Sequence, residues 1–431
     1  MRTLRLGNVC TKIGSGATPR GGSDVYLEHG IALIRSQNIY NDGFRSEGLA
    51  FIGNEHAAQL ANVEVEAGDI LLNITGDSVA RTCRAPEEVL PARVNQHVAI
   101  IRPDPEHLDP RFLHYHLISP AKQTAMLSLA GGGATRNALT KGMIEDFEVP
   151  APSPEDQRAI AGVLGALDDK IEQNRRTARA LERLARTIFR AWFVDFEPVK
   201  AKASGATAFP SMPQFVFDAL PTRFVDSEIG PVPEGWEAKS IATIATFLNG
   251  LALQKYPPRG DGEDLRVIKI AELRKGSADG ADWANGDVPE QYVIGDRDLL
   301  FSWSGTLEAE FWFGGKGALN QHLFKVTSSH FPNWFCFLWI RQHLPWFRAI
   351  AASKATTMGH IKREHLQETR VVVPPKDVLR KANGVIGSLY DLYAQQKIES
   401  RKLAMMRDLL LPKLLSGEVR VQVGRGADSE S

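Results

Sequence analysis

Apolar residues recur at alternating spacings of 3 and 4 along Leu164, Leu167, Ile171, Asn174, Ala178, Leu181, Ala185, Ile188 and Trp192. Eight of these nine sites are apolar over about four heptads, which predicts a coiled-coil helix rather than a merely amphipathic surface one. Ser153 can cap it, Pro154 suits the first helical position, and Asp156 stands where a capping-box partner would. A second seam reads Ile386, Leu389, Tyr393, Gln396, Ser400, Leu403, Arg407, Leu410 and Leu414, with a kink predicted at Pro412. Only six of its nine sites are apolar, so it makes a poor homodimeric zipper and its better partner is the first helix. Asn174 and Gln396 place a polar group mid-seam in each, where the two can meet and fix the register. A parallel pair aligns them as well as an antiparallel one.

The seams belong to a longer repeat. LGALDDKIEQN (Leu164–Asn174) returns as IGSLYDLYAQQ (Ile386–Gln396), a spacing of 222 residues. Upstream, Thr135 matches Thr357, Leu139 matches Ile361 and Pro152 matches Pro374. This is too long for a solenoid unit and implies one globular domain plus one helix, made twice. A pseudo-twofold relation between the copies favours antiparallel helices. The predicted divisions are a first domain at 1–152, a helix at 153–194 and a linker rich in Pro, Gly, Ala and Ser at 195–235. A second domain at 236–375, a second helix at 376–416 and a disordered tail at 417–431 follow. Strand-like runs at Ile31–Ile34, Ile70–Ile74 and Val98–Ile101 alternate with glycine turns, and Pro110–Leu117 opens a helix. The second domain echoes the first: GDILLNITG (Gly68–Gly76) with DLLFSWSG (Asp298–Gly305), and NQH at Asn95–His97 with Asn320–His322. The expected fold is α+β. Two similar domains of mixed, mostly antiparallel strands with short helices are joined by two long helices pairing as an antiparallel coiled coil.

Composition narrows the function classes. The 51 basic residues balance 51 acidic ones, which weakens a bulk electrostatic case for nucleic acid. Arg175, Arg176, Arg179, Arg183, Arg186 and Arg190 form a local basic run, equally readable as a solvated helix face. Cys10, Cys83 and Cys336 suit neither a disulfide framework nor a zinc knuckle, so a reducing cytoplasm is expected. The first ten residues lack an apolar signal core, and Phe331–Ile340 is too short to span a bilayer, reading instead as a buried helix. There is no GxxxxGK[ST] loop, no HExxH, no GxSxG and no amino-methyltransferase signature. GGKG at Gly314–Gly317 does not meet the phosphate-loop pattern. His114 and His116 lack a third ligand, so no metal site is expected.

Several stretches in doubled order resemble the specificity subunit of type I restriction-modification systems, over about residues 3–420. They are GSGATP (Gly14–Pro19), the GDILL strand followed by NQH, and the segment from Thr135 through Leu139-Thr140-Lys141 to Val149–Pro150. FRAWFVDFEPV (Phe189–Val199) and EIGPVPEGW (Glu228–Trp236) complete the set. The resemblance implies a DNA-reading adaptor without catalytic activity, each domain recognising one half of a bipartite, asymmetric target. The helices would set the gap and dock two methyltransferase subunits, and through them restriction/translocase subunits. S-adenosylmethionine, ATP and Mg2+ would bind only in those partners, and no membrane is involved. A two-headed protein scaffold and a standalone DNA-modifying enzyme are the alternatives. The second copy departs at Trp303–Gly317, where the first has Ile74–Glu87, and Arg407 stands inside its seam.

The repeat also sorts the DNA-contact candidates, because the halves of such targets differ. Residues shared by both copies suit scaffold or phosphate contact; polar loop residues that differ suit base reading. Asn95, Gln96, His97 and their counterparts Asn320, Gln321 and His322 are read as scaffold, and Thr135 and Thr357 as phosphate or turn residues. In the first domain the candidates are Arg20, Arg35, Gln37, Asn38, Arg81, Arg84 and Arg136. In the second they are Lys255, Arg259, Lys269, Arg274, Lys275, Lys354 and Lys362. Arg35 and Lys269 match between copies and suit phosphate better than a base. Each is otherwise an ordinary solvated charge.

Overall fold

The computed structural model describes residues 2–132, 137–353 and 359–421. It divides into two compact units, Met1–Lys170 with Leu403–Ser431, and Ile171–Lys402. Part of the predicted tail, 422–431, lies outside the described residues.

Unit 1 contains β1 (Arg2–Arg5), β2 (Cys10–Ser15), β3 (Ile31–Ile34), β4 (Ala50–Ile52) and β5 (Glu64–Val65). It continues with β6 (Ile70–Asn73), β7 (Thr82–Arg84), β8 (Ala92–Val94), β9 (Val98–Pro103) and β10 (Glu148–Ala151). They pair as β1-β10, β4-β3-β8-β5 and β2-β9-β6-β7. Only β3 and β8 run parallel among these strands, with Leu33 opposite Arg93. Every residue of β6 is buried, as near-continuous apolar strands require when both faces are covered. One face joins a core with Ala99, Ile101, Phe112 and Leu113, and the other packs with Leu33, Val94 and Ile100.

Two helices close the first core. α1 (Pro110–Ile118) starts on Asp109, whose carboxylate accepts from the Phe112 amide at 2.9 Å, with proline in the first turn where no donor is needed. α2 (Pro120–Gly131) follows. The long α3 (Pro154–Phe189) then begins on Ser153, whose hydroxyl accepts from the Asp156 amide at 3.2 Å and donates to its carboxylate at 2.7 Å.

Unit 2 repeats this plan strand for strand. Its strands are β11 (Glu237–Ser240), β12 (Thr246–Asn249), β13 (Leu265–Ile268), β14 (Trp283–Ala284) and β15 (Val293–Ile294). β16 (Leu299–Ser302), β17 (Ala309–Phe311), β18 (Gly317–Leu319), β19 (Leu323–Thr327) and β20 (Arg370–Val373) follow. The orders are β11-β20, β14-β13-β18-β15 and β12-β19-β16-β17, and the parallel pair is β13 with β18. The order and the sense of every one of these pairings therefore match unit 1. α4 (Asn333–Ser353) takes the place of α1 and α2, and it buries Trp334–Ile340, the apolar run read as a core helix. α5 (Ser388–Ser416) completes the chain's second long helix, after a helix at Lys376–Ala382 and a π turn at Asn383–Gly387. Pro412 lies within α5, whose helical span continues to Ser416.

The two long helices run antiparallel within each unit. In unit 1, Leu164 shares a core with Leu411 and Leu414, while Asp168, further along α3, meets Arg407, earlier in α5, at 2.8 Å. In unit 2, Asn174 donates to the Glu399 carboxylate at 2.9 Å, and Glu182, further along α3, bears on Tyr390 and Tyr393. The expected meeting of Asn174 with Gln396 is thus corrected to Glu399. The amide of Asn174 is 1% exposed, so a charged acceptor beside it satisfies a donor that water cannot reach. Leu181 and Leu389 pack half-buried against the unit 2 core.

The stretch 195–235, expected as a linker, is instead a folded part of unit 2. It forms helices Glu197–Ala203 and Gln214–Phe217 and an antiparallel pair, Phe224–Val225 with Val232–Pro233. Val199, Met212, Val216, Phe217 and Leu220 enter the main core. The Lys202 ammonium donates to the carbonyls of Phe217, Asp218 and Leu220 at 2.7–3.0 Å, closing the end of the second short helix. The residues called linker-like by composition hide an apolar set spaced too irregularly for either period. No helix among the described residues is long and apolar enough to cross a membrane.

Candidate nucleic-acid interface

Three loops meet at one edge of each unit, and the hydrogen bonds that join them are the same in both. In unit 1 the Ile74 amide donates to the His97 carbonyl at 3.0 Å, and the Leu139 amide donates to the Ile74 carbonyl at 2.9 Å. The Gly76 amide donates to the Asn137 carbonyl at 3.2 Å. In unit 2 Trp303 donates to His322 at 3.3 Å, Ile361 to Trp303 at 2.9 Å and Gly305 to Gly359 at 2.9 Å, all through backbone groups. A side-chain tie repeats as well: Thr75 Oγ1 lies 2.7 Å from His97 Nδ1, and Ser304 Oγ 2.9 Å from His322 Nδ1. Asn95 and Asn320 each accept the backbone N–H of the histidine two residues on, at 3.2 Å. A fourth loop approaches closely. A Cβ at Gly16 would drive into the carbonyls of Val94 and Asn95, and one at Gly250 into those of Leu319 and Asn320. Glycine is therefore required there by contact rather than by φ.

NQH thus acts in the backbone frame of this junction. Gln96 remains exposed and accepts from the Thr18 hydroxyl. Thr135, Arg136, Lys354 and Thr357 fall outside the described residues.

The remaining candidates separate by what they touch. Arg20, Lys255, Arg274 and Lys362 are exposed and form no ion pair among the described residues. Arg35 stacks on Tyr26 at 5.4 Å and donates to the Gly48 carbonyl at 2.6 Å, where Gln37 also donates at 3.0 Å. Arg81 lies 4.8 Å from the centre of the Tyr40 ring, and Arg45 lies 5.1 Å from it. Arg259 pairs with Asp287 and Lys269 with Asp282, so a phosphate must compete with a carboxylate already in place. Lys275 donates to the Asp279 carbonyl at 2.7 Å.

Two candidates are corrected. Asn38 is fully buried; its amide nitrogen donates to the Arg45 carbonyl at 2.8 Å and its oxygen accepts from the Arg35 amide at 3.1 Å. It shapes its loop and offers no edge to a base. Arg84 lies beside Arg111 and Tyr115 of α1 and Asp169 of α3, where burial, with Arg111 adding, lowers its pKa. It belongs to the helix side of unit 1 and not to the loop junction.

Sequence reasoning missed the aromatic component. Trp303 donates through Nε1 to the Asn249 side chain at 2.7 Å, and its ring lies 5.8 Å from His322 and 6.4 Å from His360. Trp283 is 44% exposed with the Arg266 guanidinium 3.6 Å from its ring centre. A guanidinium held over an aromatic face, as Arg266 is over Trp283, is a positioned donor of the kind that meets phosphate or a base edge. The signal for Trp303 was present, since WSG replaces ITG at the repeat's main departure. His114 and His116 are core groups. Burial pushes both down to about 4, leaving them neutral. Asp104, Glu106 and His107 bring ligand atoms within 4.8 Å of one another, an acidic surface group of a kind common without an ion.

A family model described as the type I restriction modification DNA specificity domain matches residues 1–183 and 233–401. The MjaIX type I restriction enzyme specificity subunit of Methanocaldococcus jannaschii is 26% identical over 72% of this chain and 69% of that protein. The HindI specificity subunit of Haemophilus influenzae is 22% identical over 83% of this chain and 88% of that one. The solved S subunit of a type I restriction-modification system from M. genitalium has a TM-score of 0.57 at 14% identity. It covers 96% of this chain and 95% of its own, a likeness of fold.

Proposed function

Because the chain belongs to the type I restriction modification DNA specificity family, whose members are non-catalytic specificity subunits, we infer that each unit reads one half of a bipartite DNA target. The observation that carries this reading is the doubled loop junction. Two units keep the same backbone frame around His97 and His322 while the side chains at its edge differ. A shared frame with different polar tips is what recognition of two unlike half-sites on one polymer requires. Charge neutrality overall is compatible with it, since the exposed cations Arg20, Lys255, Arg274 and Lys362 supply backbone contacts locally.

We further propose that the paired long helices set the gap between half-sites and dock two methyltransferase subunits, through which restriction/translocase subunits join. S-adenosylmethionine, ATP and Mg2+ then act in those subunits, and this chain contributes address rather than chemistry. The antiparallel pairing seen within each unit supports the spacing role. Exchange of residues 1–152 for the corresponding domain of another specificity subunit tests the reading. With cognate methyltransferase present, one half of the methylated sequence should change while the other half persists. A change in both halves, or in neither, contradicts it.

A further inference from the structure

Within the matched junction, one exposed position differs in chemistry between the units. Gly76 (φ 74) and Gly305 (φ 63) both adopt a left-handed turn, and each is pinned by its amide to the loop beyond. The next residue is Asp77 in unit 1 and Thr306 in unit 2. Both are exposed, and neither side chain makes a hydrogen bond or ion pair among the described residues. The backbone around them is held: Val79 donates to the Gly76 carbonyl at 3.1 Å, and the Thr306 carbonyl accepts from Ser302 Oγ at 2.8 Å.

On the reading that this edge meets DNA, an unpaired carboxylate there is informative. It offers acceptors only, and phosphate repels it. Its favourable partners are cations and base amino groups. The basic residue of the same loop, Arg81, is engaged over Tyr40 instead. In the major groove the amino donors are N4 of cytosine and N6 of adenine. The adenine amino group sits beside the N7 acceptor, which a second carboxylate oxygen meets unfavourably, so cytosine fits better. Thr306 has a hydroxyl that both donates and accepts, and a methyl that can pack on the thymine methyl.

We propose that Asp77 and Thr306 are paired specificity-determining residues, Asp77 selecting a base with a free amino group, cytosine first, in the half-site read by unit 1. Thr306 occupies the matching place for the other half-site and selects by hydroxyl and methyl. This rests on the reading that each unit recognises one half. The test uses the full chain assembled with cognate methyltransferase, a DNA library randomised across both half-sites, and modified-base sequencing. Asp77→Asn should lower discrimination at one position of one half-site by roughly 5- to 100-fold and move its preference toward adenine. The other half should be unaffected. Thr306→Asp should introduce an amino-base preference at one position of the opposite half. Position-by-position preferences unchanged in both variants overturn the proposal, as does a uniform loss of methylation with the motif intact. If exchange of residues 1–152 still alters one half in those circumstances, the failure belongs to these two residues and not to the two-half reading.

Discussion

Arg407 of α5 donates to the Asp168 carboxylate of α3 at 2.8 Å, and Asp168 accepts a second hydrogen bond from the Tyr115 hydroxyl of α1 at 2.6 Å. The charged residue inside the second seam is thus neither a defect nor a bend. It ties both long helices to the first domain within unit 1. Arg407 is 13% exposed in its side chain and Asp168 31%, so the pair is only partly screened by water. Arg407→Met should lower unit 1 stability by about 2 kcal/mol, chiefly by leaving Asp168 without its cation. Chemical denaturation checks this, and Arg407→Met with Asp168→Leu should recover part of the loss.

Unit 2 should lose stability as pH rises toward neutrality. Glu310 is pushed up to about 7, first by burial, with Glu182 and Glu308 adding and the Arg341 guanidinium at 2.5 Å and Lys397 opposing. A carboxyl whose folded pKa lies above its ordinary 4.5 binds its proton more tightly when folded. Its stabilisation is therefore complete below about 4.5 and lost as pH rises through about 7. All eight tryptophans lie in unit 2, so their fluorescence follows its unfolding alone. Glu310→Gln should flatten that part of the stability–pH curve.

Unit 1 should behave in the opposite sense. Burial holds His114 and His116 down at about 4, against an ordinary 6.5. Neutral histidines in the fold contribute stability above 6.5 that is lost as pH falls toward 4, because the unfolded chain takes the protons first. Hydrogen exchange of the α1 amides should quicken across that interval, and His114→Phe should remove part of the dependence.

The spacing role makes its own prediction. Inserting four residues after Ala178 adds about one helical turn, on the order of 6 Å, to α3. The preferred gap between half-sites should lengthen, with both half-sites preserved, as read from the methylated sequences. An unchanged gap would place the ruler elsewhere.

Much of this architecture was legible in the chain. The seam residues Leu164, Ile171, Ala178 and Ile188 are buried, and the apolar run around Phe335 is a core helix. The doubled strand–NQH order became a doubled sheet topology. What the chain hid was of a different kind. A repeat relates residues by a constant difference, whereas antiparallel helices relate them by a constant sum, and no local pattern fixes that sum. Hence Asn174 met Glu399 instead of Gln396. Asn38 looks like a reader because asparagine in a turn looks the same whether its amide faces a base or its own loop. Arg84 ends a strand whose direction toward α1 only the fold reveals. The stretch around Phe217 reads as linker because its buried residues follow neither helical nor strand period. The proposed role of Asp77 has no signal in residue type, since a carboxylate is repelled by phosphate and only the fold places it, after Gly76, at the junction.

The central claim is tested most directly by modified-base sequencing of DNA from cells carrying this chain and its cognate methyltransferase. The account predicts one methylated sequence made of two unlike specific parts separated by a fixed unspecific gap. A single continuous recognition sequence, or methylation whose sequence does not depend on this chain, would contradict it.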